Sequence, residues 1–212
     1  MHIVTDLTTQ KRNQERLNVF IDGRYAFSLA LEAAADLKIG QSLSEARIAA
    51  LKTADSLAQA KNQAVRLLSY RPRSVQEVAR KLAEKGYDEA VIDQVVQHLQ
   101  EVDLLNDRAF ADYWVEQRQT FKPRSRLALQ HELNQKGISR RVIETAVAVV
   151  DEDEAAYRAV SANLWRWRNL SQEQFKQKVG QYLQRRGFNY DTIRPVLQRT
   201  WQAVEDEEYP AA

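Results

Sequence analysis

Arg71-Pro72-Arg73-Ser74, ten residues of amphipathic helix and then Lys85-Gly86 make one phrase, and it decides the fold because it returns. The second copy runs from Lys122-Pro123-Arg124-Ser125 to Lys136-Gly137, with every position shifted by 51 residues. A third ends at Arg186-Gly187, 50 residues beyond Gly137, and opens at Ser171 without the Pro-Arg pair. Self-similarity at a fixed period is the signature of a repeat array, in which each unit buries its apolar face on its neighbours.

Aligned on their glycines, the copies carry apolar residues at matching offsets: Val78, Leu129 and Val179, then Leu82, Leu133 and Leu183. Residues four apart share one helical face, so each copy holds a helix with a buried stripe. After the glycine come Tyr87, Ile138 and Phe188, then Asp88, Ser139 or Asn189, each suited to cap a following helix. That helix carries Ile92, Ile143 and Ile193, followed by Val96, Val147 and Leu197. A connecting helix precedes each pair, over about residues 55–69, 108–119 and 152–168, so the unit has three helices. Ser74-x-x-Glu77 and Ser171-x-x-Gln174 match the capping box, and Ser125 lacks that partner. The three glycines fit the left-handed position that ends a helix. Pro195 falls inside the last helix, where its ring and missing N–H are expected to kink or delay it.

Ahead of the repeats, Leu17–Ile21 and Arg24–Leu29 are β-branched and aromatic runs around Asp22-Gly23. An Asp-Gly pair supplies the two positive φ angles of a type I′ turn, which predicts a β-hairpin, with Ile3, Val4 and Leu7 available for a third strand. A lone hairpin is marginal in water, so a helical cover is expected: Leu29–Lys38 as one short helix and a second entered at Ser44. The predicted fold class is mainly α, tandem three-helix repeats forming an elongated curved array with a small N-terminal β-hairpin. The expected division is 1–53 for the hairpin and helical cap, 54–105, 106–150 and 151–204 for the repeats, and 205–212 for an acidic tail.

Composition narrows function. The 212 residues are 44% hydrophobic and 28% charged, which is a globular balance. No run of eighteen apolar residues and no basic, apolar leader is present, so neither a membrane span nor export is indicated and a cytoplasmic protein is expected; a monomer is also expected. Zero cysteines rule out disulfides, and the three histidines are scattered. There is no Gly-rich phosphate loop, no Gly-x-Ser-x-Gly elbow and no His-Glu-x-x-His, since His131-Glu132 lacks the second histidine. The Asp151–Glu154 run reads as carboxylates favoured at a helix start rather than a metal site. Neither an enzyme nor a cofactor is expected.

The net charge of +2 hides an uneven distribution: residues 155–204 hold nine basic side chains and two acidic ones. Arg71, Arg73, Lys122, Arg124 and Arg126 fall at the same corner of two successive repeats, where stacking would set them in a basic ridge. Such a ridge matches a polymer of phosphates or a repeating acidic surface; the alternative is that Pro72 and Pro123 end helices while the cations stay in solvent. Arg140-Arg141 and Arg185-Arg186 are placed to extend the same surface, while Lys85, Lys136 and Arg186, each before its glycine, suit the negative end of a helix macrodipole. Trp165-Arg166-Trp167-Arg168 interleaves rings and cations as single-strand binders do, and equally suits two Trp packing on different helices. Residues two apart lie about 200° apart on a helix, so one of the two rings is expected buried and the other available. Trp114 and Trp201 are expected in the core.

Taken together, Arg71-Pro72-Arg73-Ser74-x-x-Glu77, Lys85-Gly86-Tyr87, Leu104-Leu105-Asn106-Asp107-x-x-Phe110-Ala111, Lys136-Gly137-Ile138 and Arg186-Gly187-Phe188 resemble the RecX family of regulators of the RecA recombinase. The resemblance spans about 17–204. It implies three-helix repeats that lodge in the groove of the RecA–DNA filament and, in most members, inhibit its ATPase, strand exchange and co-protease function, without a cofactor. Partners implied are the RecA filament and single- or double-stranded DNA, the latter bound weakly alone. The candidate contacts are then Arg71, Arg73, Lys85, Lys122, Arg124, Arg126, Lys136, Arg140, Arg141, Arg166, Arg168, Arg185 and Arg186. The competing reading is an autonomous nucleic-acid-binding repeat protein.

Overall fold

In the computed structural model, which describes residues 1–208 and side chains through Glu205, strands come first and helices follow. Strands β1 (His2–Gln10), β2 (Asn13–Ile21), β3 (Arg24–Ala30) and β4 (Ser42–Leu43) precede nine α-helices among the described residues. These are α1 (Glu45–Tyr70), α2 (Val75–Ala83), α3 (Glu89–Glu101), α4 (Asp107–Phe121), α5 (Arg126–Gln135), α6 (Arg140–Ala148), α7 (Glu152–Ser161), α8 (Gln172–Gln184) and α9 (Tyr190–Glu208). The chain divides into two compact units, residues 1–71 with 78–105, and residues 72–77 with those from Asn106 onward.

In the first unit the expected hairpin is present and larger than the sequence suggested. Asp22 and Gly23 take φ of 50° and 77°, and β2 and β3 pair antiparallel around them. The sheet has four strands in the order β3-β2-β1-β4, with β1 antiparallel to both its neighbours. Val4, Val19 and Leu29 are fully buried between the sheet and its cover. No helix forms over Leu29–Lys38, contrary to expectation. Leu29 is consumed as a core residue of β3, and the Asp55 carboxylate of α1 accepts the Ala30 N–H at 3.0 Å. What remains closes in single turns, such as Leu37 N–H to Ala34 O at 2.9 Å. Ser44 caps α1 through the Arg47 N–H, and the helix then runs unbroken to Tyr70, merging two helices that the sequence had suggested separately. Asp55 is buried and satisfied, taking Arg16 Nη2 at 2.8 Å and Gln59 Nε2 at 2.6 Å, so the charge that ties sheet to helix is paired.

The repeat pattern holds in detail. Val78, Leu82, Leu129, Leu133, Val179 and Leu183 are all fully buried, and Ile92, Ile143 and Ile193 nearly so. Gly86, Gly137 and Gly187 take φ of 84°, 78° and 87°. In the second unit α4 and α5 pack on α6, and α7 and α8 pack on α9, around one continuous core that includes Phe110, Phe175 and Trp167. Ser171 forms the predicted capping box with Gln174. Asn189 caps α9 through the Thr192 N–H, whereas Asp88 and Ser139 hold the cap position without a side-chain hydrogen bond.

One expectation fails in the third repeat. The connecting helix stops at Ser161 instead of reaching Arg168, and a short 3-10 turn follows at Leu164–Arg166. Asn163 Nδ2 donates back to the Ala159 carbonyl and to the Tyr182 hydroxyl, which holds the chain out of helical continuation. The helical argument about the two Trp therefore does not apply, though its outcome does: Trp167 is 8% exposed and Trp165 is 70% exposed. Trp114 and Trp201 pack on the core while half-exposed. Helix α9 continues through Pro195 and extends to Glu208, so that residues 205–208 of the expected acidic tail are helical. Residues 209–212 of that tail lie outside the described residues.

Candidate interaction corners of the second unit

The corner at Pro72–Glu77 is seated on the turn that ends α5. Ser74 Oγ donates to the Lys136 carbonyl at 2.7 Å while accepting the Glu77 N–H at 3.1 Å. Asp107, in the first turn of α4, accepts the Val75 N–H at 2.8 Å; burial raises its carboxyl above the ordinary value, and that hydrogen bond partly offsets the rise. Lys136 Nζ lies 2.7 Å from the buried Glu77 carboxylate and 4.9 Å from the Trp114 ring centroid. A β-carbon on Gly137 would stand 2.6 Å from the Gln76 side chain, so the close seating needs glycine there.

The corner at Pro123–Ala128 is seated likewise on the turn that ends α8, with the serine N–H in place of its hydroxyl as the donor to the turn. Ser125 N–H donates to the Arg186 carbonyl at 3.2 Å, and Ser125 Oγ accepts the Ala128 N–H at 3.1 Å. A β-carbon on Gly187 would meet Ser125 Oγ at 2.5 Å and Ala128 Cβ at 2.9 Å. The Pro, Ser and Gly of the repeated phrase are thus parts of one joint, the Ser of one copy gripping the basic-Gly turn of the next.

The joints differ in their charges. With the 51-residue shift, Glu77 corresponds to Ala128, so Arg186 lacks the carboxylate that Lys136 has. The Arg186 guanidinium instead stacks on Tyr182, 3.8 Å from the ring centroid, and its Nε is buried with no acceptor among the described residues. A cavity of about 280 Å³ opens here, lined by Arg166, Trp167, Lys178, Tyr182, Arg185 and Arg186. Burial holds the Arg186 guanidinium below its ordinary value, with Arg124 and Arg166 pushing the same way.

The sequence-predicted contacts scatter across this picture. Arg71 and Arg73 are half-buried and neither is free. Arg124 is paired with Glu132 at 2.8 Å, a carboxylate that also takes Arg118 at 2.7 Å and the Trp114 indole N–H at 2.8 Å. Arg126 Nε is spent on the Val150 carbonyl at 2.8 Å, and Arg140 on Glu144 at 2.7 Å. Lys85, Lys122, Arg141 and Arg168 are exposed. Only Arg166, Arg185 and Arg186 are drawn into one cavity, and none of them has a carboxylate partner among the described residues. Lys178 joins them and was missed, although it stands seven residues before Arg185, on the same face of α8.

The fold and these joints define a tandem three-helix repeat protein whose distinctive chemistry is a set of cations at its corners. Comparison with known proteins gives the family. Profiles described as the regulatory protein RecX N-terminal domain and the first, second and third RecX three-helix domains match residues 2–44, 60–99, 106–147 and 151–197. The chain belongs to the RecX family. It is 33% identical to regulatory protein RecX of Bacillus pumilus over 98% of its own length and 81% of that protein's. With regulatory protein RecX of Bacillus subtilis the identity is 33%, covering 100% of this chain and 82% of the relative. A crystal structure of regulatory protein RecX superposes with a TM-score of 0.66 at 27% identity, covering 92% of this chain and 98% of that one. That of RecX from Lactobacillus salivarius gives 0.60 at 26%, covering 69% and 97%. A regulatory role follows from the family.

Proposed function

We propose that this chain regulates a RecA-type recombinase by binding the recombinase–DNA filament and lowering its ATPase, strand-exchange and co-protease activities. The observation that carries this reading is membership of a family of regulatory proteins along nearly the whole chain. Tandem repeats suit a filament, because each unit docks at high effective concentration once the first has bound. Among the described residues no group of three or more His, Cys, Asp or Glu is placed to hold a metal ion, and the reading asks for none.

The test is recombinase ATP hydrolysis on single-stranded DNA with increasing amounts of this protein. Hydrolysis is expected to fall several-fold at stoichiometric protein. Unchanged hydrolysis overturns the filament reading. Equal affinity for naked and recombinase-coated DNA, with a steep salt dependence, would support autonomous nucleic-acid binding instead.

A further inference from the structure

The cavity beside Arg186 makes a claim that does not depend on the filament reading. Four cationic side chains, Arg166, Lys178, Arg185 and Arg186, line about 280 Å³ with no acidic residue among the lining. Like charges brought together repel, and a protein ordinarily relieves this with an interleaved carboxylate, as Glu132 does between Arg118 and Arg124. The parallel joint does the same, Glu77 meeting Lys136 at 2.7 Å. At the joint between the second and third repeats both neutralising positions are altered: Ala128 stands where Glu77 would, and the residue matching Glu132 is Tyr182.

The side chains are nevertheless held in place. Arg186 lies on the Tyr182 ring, whose hydroxyl donates to the Ala159 carbonyl at 3.1 Å and whose edge meets Trp167 at a centroid distance of 4.9 Å. Arg185 Nε is fixed on the Gln181 carbonyl at 3.2 Å, and its terminal nitrogens have no hydrogen-bond partner among the described residues. Arg166 leans on Trp167, 5.8 Å from the ring centroid. Arg186 Nε is a buried donor without an acceptor among the described residues, and such a donor costs stability unless something accepts from it.

We infer that the cavity bounded by Arg166, Lys178, Arg185 and Arg186 is a binding site for a phosphate group, taken by guanidinium and ammonium donors beside a joint that lacks the carboxylate its counterpart has. Planar guanidinium forks match phosphate oxygens in pairs, and a multiply charged oxyanion balances several cations better than one carboxylate does. The phosphate comes either free, as inorganic phosphate or pyrophosphate, or as the phosphodiester of a single strand.

The experiment is calorimetric titration of the full chain with phosphate, pyrophosphate, a thymidine oligonucleotide and a glutamate-rich peptide. Ala128→Glu restores the missing acid at the third position of α5, where Glu also completes a capping box with Ser125. It should weaken phosphate-class binding at least tenfold without lowering the melting temperature. Arg166→Gln with Lys178→Gln, both on exposed side chains, should do the same should the first variant fold poorly. Pyrophosphate binding lost in these variants assigns a free phosphate ligand; oligonucleotide binding lost without pyrophosphate binding assigns the phosphodiester. The site is overturned by no binding of any phosphate at millimolar concentration, by undiminished binding in the variants, or by binding of the peptide alone. Recombinase ATPase measured alongside keeps the two readings apart, since loss of phosphate affinity with regulation intact leaves the filament reading standing.

Discussion

The joint at Ser74 and the joint at Ser125 share their backbone and differ in their charge. In both, a buried serine at a helix start grips the carbonyl side of a basic-Gly turn, and glycine is required because the preceding corner sits within 3 Å of where a β-carbon would be. At the first, the basic side chain is neutralised by Glu77; at the second, Arg186 is left with a tyrosine ring and a cavity. Backbone geometry is what stacking demands, so it repeats. Side-chain charge is under no such demand once the joint is closed, and this is where one copy diverges toward binding.

The largest effect expected from probing this comparison is at the glycines. Gly187→Ala adds a left-handed penalty of about 1–2 kcal/mol to an overpacking penalty of about 1–3 kcal/mol against Ser125 Oγ and Ala128. Gly86→Ala, where a β-carbon meets nothing within 4 Å, should cost only the first of these. Denaturant unfolding of both variants checks this, and equal losses would mean that the turn is not seated under its corner.

A smaller effect separates the two cations. Glu77→Ala leaves Lys136 beside a desolvated site, and because the lysine is still a quarter exposed, the cost should be about 2 kcal/mol, below the full value for a buried pair. Arg186→Gln removes a ring contact and no ion pair, so about 0.5–1 kcal/mol is expected. A loss at Arg186 as large as that at Glu77 would point to a structural partner for the guanidinium and against the difference drawn here.

Much of this architecture is legible in the sequence because the repeat states it three times: apolar offsets, capping serines and terminal glycines fix helices, turns and core faces without knowledge of tertiary contacts. The segment ahead of the repeats states nothing twice. Its hairpin is readable from Asp22-Gly23, but β4 forms by setting Ser42 and Leu43 against Ile3 and His2 at the far end of the segment, and the loss of the Leu29–Lys38 helix goes with Asp55, which reaches Ala30 across 25 residues. The break after Ser161 likewise rests on Asn163 meeting Tyr182, nineteen residues on. At the candidate site, the basic residues are visible as a class, and their fates are not. Lys136 looks as free as Arg186 until Glu77, 59 residues away, is found on it. The shift of 51 that sets Glu77 against Ala128 was already in the sequence, and it was the signal that would have singled out Arg186.

The most direct measurement is the arginine Nε–Hε nuclear magnetic resonance of Arg186 as phosphate is added to the wild-type chain and to Ala128→Glu. The account predicts a saturable shift of the Arg186 resonance in the wild type, with Arg140 unmoved on its own carboxylate, and no shift at Arg186 once the glutamate is present. An Arg186 resonance that ignores phosphate, or that responds equally in both proteins, would contradict it.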